Sequence, residues 1–215
     1  AWYENVGGSP PSFARRVLSS IANECHSVFP VDFDGDNDID ILSACAGENR
    51  IAWHENNCEF GVSTPTFQPI FMPSVKPTIT PLPIQPHVCQ NDITFERKDV
   101  TEEALGARSV FAIDIDGDGD VDVVSASYDD DTIAWYENDG MSPASFTKKV
   151  IVEDADGASS VFAIDLDGDG DVDVLSASYE DDTKAWYEND GGSAPDFSPV
   201  EITDHECREK IVYAN

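Results

Sequence analysis

Basic residues are scarce in this chain: 12 Lys and Arg stand against 43 Asp and Glu, which gives a formal net charge of -31. Such a balance repels nucleic acid and anionic membrane surfaces and attracts divalent cations. Long apolar runs are lacking too, since no stretch of the sequence approaches the roughly 18 to 20 residues that a membrane-spanning helix needs. We therefore expect no nucleic-acid partner and no direct insertion into a membrane.

Catalytic signatures are also missing from the sequence. No nucleophile elbow, phosphate loop or dinucleotide fingerprint is present. The histidines occupy unrelated positions, namely His26, His54, His87 and His205. We therefore expect this chain not to be an enzyme.

What the sequence does contain is an internal repeat. The stretch from Ser109 to Ser127 returns almost unchanged 51 residues later, from Ser160 to Ser178. A Trp-(Tyr or His)-Glu-Asn element also recurs, and it begins at Trp2, Trp53, Trp135 and Trp186. Repeats of about this period are units that stack on their neighbours to bury a shared face. The tryptophans are therefore expected to lie in the core between neighbouring units.

Within one unit the pattern indicates β-strands. Residues 109–114 and 121–127 are rich in Val, Ile, Ala and Ser, residues 132–137 alternate, and a fourth strand is expected from Phe146 to Val152. Four strands in about 51 residues, separated by turn residues, favour a β-propeller blade over a sandwich. A parallel β-helix is the alternative, disfavoured because its coils are usually shorter. The predicted fold class is all-β, made of blades of four antiparallel strands.

Three aspartate-rich runs follow the same repeat. Each places Asp at positions 1, 3, 5, 7 and 9 of a nine-residue loop, and the loops contain no Cys or His that would favour zinc. The aspartates are Asp32, Asp34, Asp36, Asp38, Asp40, Asp114, Asp116, Asp118, Asp120, Asp122, Asp165, Asp167, Asp169, Asp171 and Asp173. Because Ca²⁺ takes six to eight oxygen ligands, we predict about three calcium ions, one per loop.

Each loop position has an expected role. Positions 1, 3, 5 and 9 are expected to coordinate through their carboxylates, and position 7 through its backbone carbonyl. At position 6 the chain must turn sharply, and Gly119, Gly170 and Asn37 tolerate the positive φ that this turn needs.

Two alternatives exist for these loops. An EF-hand is disfavoured because Ser43, Ser125 and Ser176 replace its bidentate Glu at position 12, and because the flanks read as strands. A merely solvated hairpin is disfavoured because closely spaced carboxylates repel one another unless a cation is present.

The loops and strands together resemble the FG-GAP and VCBS-type calcium-binding repeats, the propeller family that includes the head of integrin α subunits. The motifs that carry the likeness are Asp-x-Asp-Gly-Asp-Gly-Asp-x-Asp, the following Val-Asp-Val-Leu-Ser-Ala-Ser strand and the Ala-Trp-Tyr-Glu-Asn strand. The resemblance implies a calcium-loaded propeller, usually of about seven blades, in secreted or cell-surface proteins that adhere to protein or carbohydrate. Only three full loops are present, so we expect a fragment of a larger propeller that packs against further blades of the same chain.

The repeat register divides the chain into units. We predict the end of a truncated blade at 1–20, a blade at 21–61 and 91–104, further blades at 105–155 and 156–206, and the start of another blade at 207–215.

An insertion interrupts the first full blade at residues 62–90. It contains seven prolines and no acidic residue, unlike the rest of the chain. Two interpretations stay open: an extended surface loop between strands, or a retained intron. Sequencing of cDNA that always contains these codons would exclude the intron.

The five cysteines suggest disulfides with one cysteine left over. Cys25 and Cys45 are expected to lie near each other across the first loop's hairpin, either as a disulfide or as free thiols. Cys58 and Cys89 bracket the insertion and are candidates to clamp its base, while Cys207 would be unpaired or bonded to a residue outside this sequence.

Two classes of function follow. The favoured one is a non-catalytic calcium-binding module of an extracellular or cell-surface protein, active in adhesion or in binding an unknown protein or glycan. The alternative is the propeller scaffold of a larger polysaccharide-active enzyme or lectin. Strict repetition of the aspartate loops favours the first, because a propeller enzyme normally concentrates its chemistry at one site.

Overall fold

The computed structural model describes residues 1–19, 22–57, 93–192 and 194–201, with the backbone alone at residue 201. The insertion at 62–90, the start of a blade at 207–215, and Cys58, Cys89 and Cys207 lie outside the described residues. Within the described part, no helix has the length and apolar character needed to cross a membrane.

Nearly all the regular secondary structure of the described chain is antiparallel β-strand. Their bounds are β1 (Trp2–Gly7), β2 (Ser12–Arg16), β3 (Cys25–Val31), β4 (Asp40–Cys45), β5 (Arg50–Asn56), β6 (Phe95–Thr101), β7 (Ala107–Ile113), β8 (Asp122–Ser127), β9 (Thr132–Asn138), β10 (Phe146–Val152), β11 (Ala158–Ile164), β12 (Asp173–Ser178), β13 (Lys184–Asn189) and β14 (Phe197–Glu201). One short 3₁₀ turn, Ala46–Glu48, follows β4.

Twelve of the strands form three four-stranded sheets in which each strand pairs with its neighbour in sequence. We call these sheets blade 1 (β3 to β6), blade 2 (β7 to β10) and blade 3 (β11 to β14). The remaining pair, β1 and β2, forms a two-stranded hairpin. The prediction of four-stranded antiparallel blades is confirmed, whereas the exact blade boundaries stay predictions.

Burial follows the position of each strand within its blade. Every residue of β8 is buried, because this central strand is covered on both faces. The outer strand β10 instead keeps Thr147 and Lys148 exposed. This explains why the second strand of each unit continues after its first Asp with apolar and small residues only, whereas the fourth accepts charged residues.

The blades pack face to face through two apolar cores, one between blades 1 and 2 and one between blades 2 and 3. The first strands of the three blades adjoin one another, and Phe111 contacts Phe29 and Phe162 with ring centroids 4.8 and 4.6 Å away. Trp53 and Trp135 are buried, as predicted for the core between blades, whereas Trp2 and Trp186 are only half-buried. The arrangement is that of consecutive propeller blades, and the three described blades do not close a ring.

Polar contacts repeat at each junction between blades. Ser27 Oγ accepts a hydrogen bond from the Val110 N–H at 3.4 Å, and one period later Ser109 Oγ accepts from the Val161 N–H at 3.2 Å. These hydrogen bonds fix the position of each blade relative to the next, because sliding one blade along the other would leave the serine hydroxyl without its partner.

A disulfide joins Cys25 to Cys45 across β3 and β4. The structure thus selects the disulfide over the pair of free thiols. The equivalent pair is Ala107 with Ser127 in blade 2, so the covalent link is specific to blade 1 among the described blades.

Candidate metal centres

The three aspartate loops lie at the same end of their blades, because each connects the first strand to the second. The residue before each loop pairs with position 9: Val31 with Asp40 in blade 1 and Ile113 with Asp122 in blade 2. Position 9 is therefore the first residue of the second strand. This placement holds the loop closed at its base.

Each loop gathers three carboxylates whose oxygen atoms lie within 4.8 Å of one another. The groups are Asp32, Asp34 and Asp36 in the first loop, Asp114, Asp116 and Asp122 in the second, and Asp165, Asp167 and Asp173 in the third. The sequence predicted five ligand positions in every loop, one of them through a backbone carbonyl. Positions 1 and 3 belong to the cluster in all three loops, joined by position 5 in the first and by position 9 in the other two.

Backbone N–H groups within the loop hold the position 1 carboxylate. Asp114 Oδ1 accepts from the Gly117 N–H at 2.8 Å, and its Oδ2 accepts from the Gly119 N–H at 3.0 Å. Asp165 makes the same two bonds with Gly168 and Gly170 at 2.7 and 3.2 Å. The carboxylate is therefore oriented before any ion binds.

The turn at position 6 has the expected backbone conformation. Gly119 and Gly170 have φ of 99° and 104°, and Asn37 has φ of 71°. Asparagine is one of the few residues with a side chain that adopts this region readily. The predicted turn at position 6 is therefore confirmed in all three loops.

The carboxylate at position 9 closes the loop and links it to the third strand. Asp122 Oδ2 accepts from the Ile115 N–H at 3.0 Å, and Asp122 Oδ1 accepts from the Asn138 N–H at 2.8 Å. Asp40 makes the equivalent bonds to the N–H groups of Phe33 and Asn56 at 3.1 and 2.7 Å. Each carboxylate oxygen has a second lone pair, so these bonds leave capacity for a cation.

Burial raises the pKa of the position 9 carboxyl in the first and second loops. The pKa of Asp40 rises to about 6 and that of Asp122 to about 7, because desolvation disfavours the charged form more than the two N–H donors favour it. A bound divalent cation would reverse this penalty, since it favours the ionised form. Binding of a metal ion would therefore displace a proton from these carboxyls.

The pKa of the position 3 carboxyl is also raised in two loops. For Asp34 the main cause is burial, followed by the charge of Asp36; for Asp116 it is burial, followed by the charge of Asp118. Mutual repulsion within the loop therefore adds to desolvation. Both causes are relieved by a cation placed among the carboxylates.

The first loop contains a buried carboxylate oxygen that lacks a protein donor. Asp32 Oδ1 is inaccessible to solvent and has no hydrogen-bond partner among the described residues. A buried acceptor without a partner is costly. A hard cation bound there would supply the missing partner, so the residues present fit a calcium ion.

The sequence interpretation missed the part played by the last residue of the Trp-(Tyr or His)-Glu-Asn element. Besides donating its backbone N–H to position 9, Asn138 donates from Nδ2 to the Val121 carbonyl at 3.1 Å, and Asn189 does the same with Val172 at 3.1 Å. This asparagine ties the third strand to the end of the metal loop. The available signal was its constant spacing of 16 residues from position 9.

A lysine forms an ion pair with the glutamate that precedes this asparagine and so balances its charge. Lys98 Nζ lies 2.6 Å from Glu55 Oε2 and 4.9 Å from the centre of the Trp53 ring. Lys149 repeats the arrangement with Glu137 at 3.0 Å and with the Trp135 ring at 4.6 Å. Glu55 and Glu137 thus lie near the loops with their charge balanced, and the tryptophans act as packing residues.

Position 7 rests against a glycine that follows the third strand. A Cβ at Gly140 would overlap the Asp120 carboxylate, and one at Gly191 would overlap that of Asp171. Both glycines also have positive φ, 63° and 75°. A larger residue there would push the position 7 carboxylate aside and strain the backbone, so these glycines help to shape the site.

One comparison identifies the repeat. A family model described as an FG-GAP-like repeat matches residues 114–176, which run from position 1 of the second loop to β12. Among curated proteins, no significant match to the chain was found. Residues 114–176 of this chain are therefore an FG-GAP-like repeat, in agreement with the resemblance carried by its loops and strands.

Proposed function

We propose that this chain is a calcium-binding repeat module of a secreted or cell-surface protein, non-catalytic, which acts in adhesion or in binding protein or carbohydrate. The observation that carries the proposal is the cluster of three carboxylates within 4.8 Å in each of three equivalent loops. Such a threefold arrangement is expected of ions that stabilise every blade, since a single catalytic centre would require one exceptional site.

Calcium is the ion that fits these clusters best. Every candidate ligand is an oxygen atom, which suits a hard cation. Each loop brings several carboxylates together, which suits the flexible coordination of Ca²⁺ by six to eight oxygens better than the strict octahedron of Mg²⁺. When bound, the ion supplies positive charge that offsets the repulsion among the carboxylates.

The carboxylates of the chain connect each metal loop to the strands of its blade. Asp114 is held by two loop N–H groups, and Asp122 joins the loop to the second and third strands. Fixing these carboxylates therefore fixes the turn between the first two strands and its link to the third. The module becomes a rigid frame on which neighbouring loops present a binding surface.

A cleft at the loop end of blades 1 and 2 supports this proposal. This cleft of about 280 Å³ lies between the first metal loop and the segment that follows β9. It is lined in part by Asp34, Asp36, Lys98, Met141 and Pro143. Charged and apolar groups side by side offer the mixed contacts that protein and glycan ligands use.

The proposed location outside the cell has two supports. The Cys25–Cys45 disulfide is of a kind that persists in oxidising compartments. Extracellular calcium is also abundant enough to fill modest-affinity sites, whose dissociation constants lie at roughly 10⁻⁴ to 10⁻³ M in extracellular modules.

The metal function is tested by calorimetric titration of the chelator-treated chain with Ca²⁺, with Mg²⁺ as the comparison ion. We expect about three calcium ions per chain and weaker binding of Mg²⁺. Absence of calcium binding would refute the metal function.

The binding function is tested separately with the calcium-loaded chain. A glycan array and a polysaccharide depolymerisation assay are run in parallel. Cleavage of a polysaccharide would contradict the non-catalytic proposal, whereas binding without cleavage would support it.

A further inference from the structure

The glutamate of the Trp-(Tyr or His)-Glu-Asn element lies beside the metal loop in each of the three blades. It directly precedes the asparagine whose backbone N–H binds the position 9 carboxylate, at 2.7 Å in blade 1, 2.8 Å in blade 2 and 3.0 Å in blade 3. These glutamates are Glu55, Glu137 and Glu188. The hydrogen bond of the asparagine therefore holds the backbone of each glutamate next to its loop.

The side chain of Glu55 is directed towards the first metal loop. Glu55 and Trp53 share one face of β5, because residues two apart on a strand point to the same side. Trp53 packs against Phe33, the second residue of the loop, with ring centroids 5.0 Å apart. Glu55 also lines the cleft together with Asp34 and Asp36.

The carboxyl groups of Glu55 and Asp34 contact each other. Burial and the charge of Asp36 are the larger causes of the raised pKa of Asp34, and both the charge of Glu55 and a hydrogen bond between the two carboxyls add to it. In blade 2, after burial and the charge of Asp118, the charge of Glu137 adds to the raised pKa of Asp116. Two ionised carboxylates at such close range repel each other unless a proton or a cation lies between them.

A separate observation points to a cation at the same cluster. Asp32 Oδ1 is inaccessible to solvent and has no hydrogen-bond partner among the described residues. Asp32 clusters with Asp34, the carboxyl that Glu55 contacts. The atom that lacks a partner and the glutamate of the third strand therefore meet at one site.

We propose that Glu55, Glu137 and Glu188 are metal ligands, each of which supplies a carboxylate oxygen from the third strand to the calcium ion of its loop. This inference rests on the proposed calcium function and adds a ligand from outside the nine-residue loop. Calcium takes six to eight oxygens, more than the three carboxylates that cluster in each loop. A ligand on the third strand joins that strand to the hairpin of the first two through the ion.

The lysine of the fourth strand orients this glutamate. Lys149 Nζ lies 3.0 Å from Glu137 Oε2 and 4.6 Å from the centre of the Trp135 ring. A carboxylate has two oxygens, so Glu137 has the capacity to bind the lysine and the ion together. The lysine also offsets one negative charge in a crowded acidic site.

A calcium titration resolved by loop tests the role of Glu137. The backbone N–H groups of Gly119 and Gly170 donate to position 1 of the second and third loops, so their NMR signals report the two loops separately. Glu137→Ala should weaken calcium binding at the second loop roughly tenfold or more, because a charged ligand is lost. Binding at the third loop should stay unchanged.

Lys149→Met is the matched control, since it removes the same ion pair and keeps the glutamate. It should not weaken calcium binding, because Glu137 is still present to bind the ion. An equal loss of affinity with Lys149→Met and Glu137→Ala would show that the glutamate acts only through the lysine, and would overturn the proposal. Glu137→Gln, which keeps the size of the side chain, should also weaken binding, and circular dichroism checks that every variant is folded.

Terbium luminescence distinguishes a metal ligand from a nearby charge. Tb³⁺ occupies calcium sites, and its emission lifetimes in H₂O and D₂O count the water molecules bound to it. A triple variant with Glu55→Ala, Glu137→Ala and Glu188→Ala should bind about one more water per ion, since solvent replaces each lost oxygen. An unchanged water count would overturn the proposal even if the affinity fell.

The proposed function and this inference fail in different ways. Calcium binding by the unaltered chain, together with unchanged affinity in Glu137→Ala, would overturn the inference alone. Absence of calcium binding by the unaltered chain would overturn the calcium function as well.

Discussion

At the scale of single residues, the buried carboxyl at position 9 couples the metal loop to pH. The pKa of Asp122 is raised to about 7 and that of Asp40 to about 6, chiefly by burial. A cation must displace the proton from such a group before it binds. Proton competition is therefore concentrated at the residue that closes the loop.

We predict that calcium affinity rises with pH between about 5 and 8 in step with this ionisation. The calcium-free fold should show the opposite trend: since the folded pKa lies above the unfolded value of about 3.9, the folded state binds more protons and its stability falls as pH rises from about 4 to 7. Calcium titrations and urea unfolding at several pH values measure both trends. Asp122→Asn should make both trends shallower, with Asp40 still titrating in the first loop, and pH-independent affinity in the unaltered chain would contradict the prediction.

The asparagine of the third strand provides a second residue-scale prediction. Asn138→Ala removes the bonds from Nδ2 to the Val121 carbonyl and from the Gly140 N–H to Oδ1. Loss of these partly buried bonds should lower the free energy of unfolding by about 1 to 2 kcal/mol and weaken calcium binding at the second loop. Thermal unfolding and calcium titration measure the two effects.

Asn5→Ala is the control for this substitution, because Asn5 ends the same sequence element on the exposed hairpin of β1 and β2. It should leave calcium binding unchanged. Equal effects of both substitutions on calcium affinity would show that the asparagine does not act through the loop.

At the scale of elements, the hairpin of the first strand pair is the unit that metal and disulfide both stabilise. In blade 1 the disulfide closes the open end of the hairpin of β3 and β4, and the aspartate loop closes the other end. Blades 2 and 3 have small residues where blade 1 has its cysteines. The same fold is therefore reached with and without the covalent link.

We predict that Cys25→Ala combined with Cys45→Ser, which copies the residues of blade 2, keeps the fold and lowers the free energy of unfolding by about 2 to 4 kcal/mol. The cause is the greater freedom of the unfolded chain once a link across 20 residues is lost. Urea unfolding without reductant measures the change. Reduced native chain should match the double variant, and identical curves for the oxidised chain and the variant would contradict the prediction.

At the scale of the whole molecule, three equivalent loops make stability depend on calcium. Binding confined to the folded form adds about 2.7 kcal/mol for each site when free calcium is 100 times the dissociation constant. Chelation should therefore lower the melting temperature markedly, and calcium should restore it. An unchanged melting temperature in excess chelator would contradict a stabilising role for the loops.

Removal of one metal site tests whether the three loops bind calcium independently. Asp114→Ala with Asp116→Ala removes two of the three clustered carboxylates of the second loop. The number of calcium ions bound should fall by one, with a smaller gain in melting temperature on adding calcium. Loss of all calcium binding would show instead that the loops do not bind independently.

Much of this architecture is readable from short stretches of sequence. The strand pattern around β7 to β10, the sharp turn at position 6 and the proximity of Cys25 to Cys45 were all predicted, because each depends on residues close in sequence or opposite each other in one hairpin. The role of Asn138 was not predicted, since its contacts to Asp122 and Val121 come from a strand that returns to the loop only after the sheet forms.

The sequence by itself determined the repeat, its four strands and the loops that concentrate aspartate, because periodic hydrophobicity and turn chemistry act locally. Only the tertiary structure decided which three carboxylates of each loop meet and that Asp40 and Asp122 are buried. These properties depend on side-chain direction and on whether a neighbouring blade covers each face. Packing across blades sets both, and no single repeat encodes it.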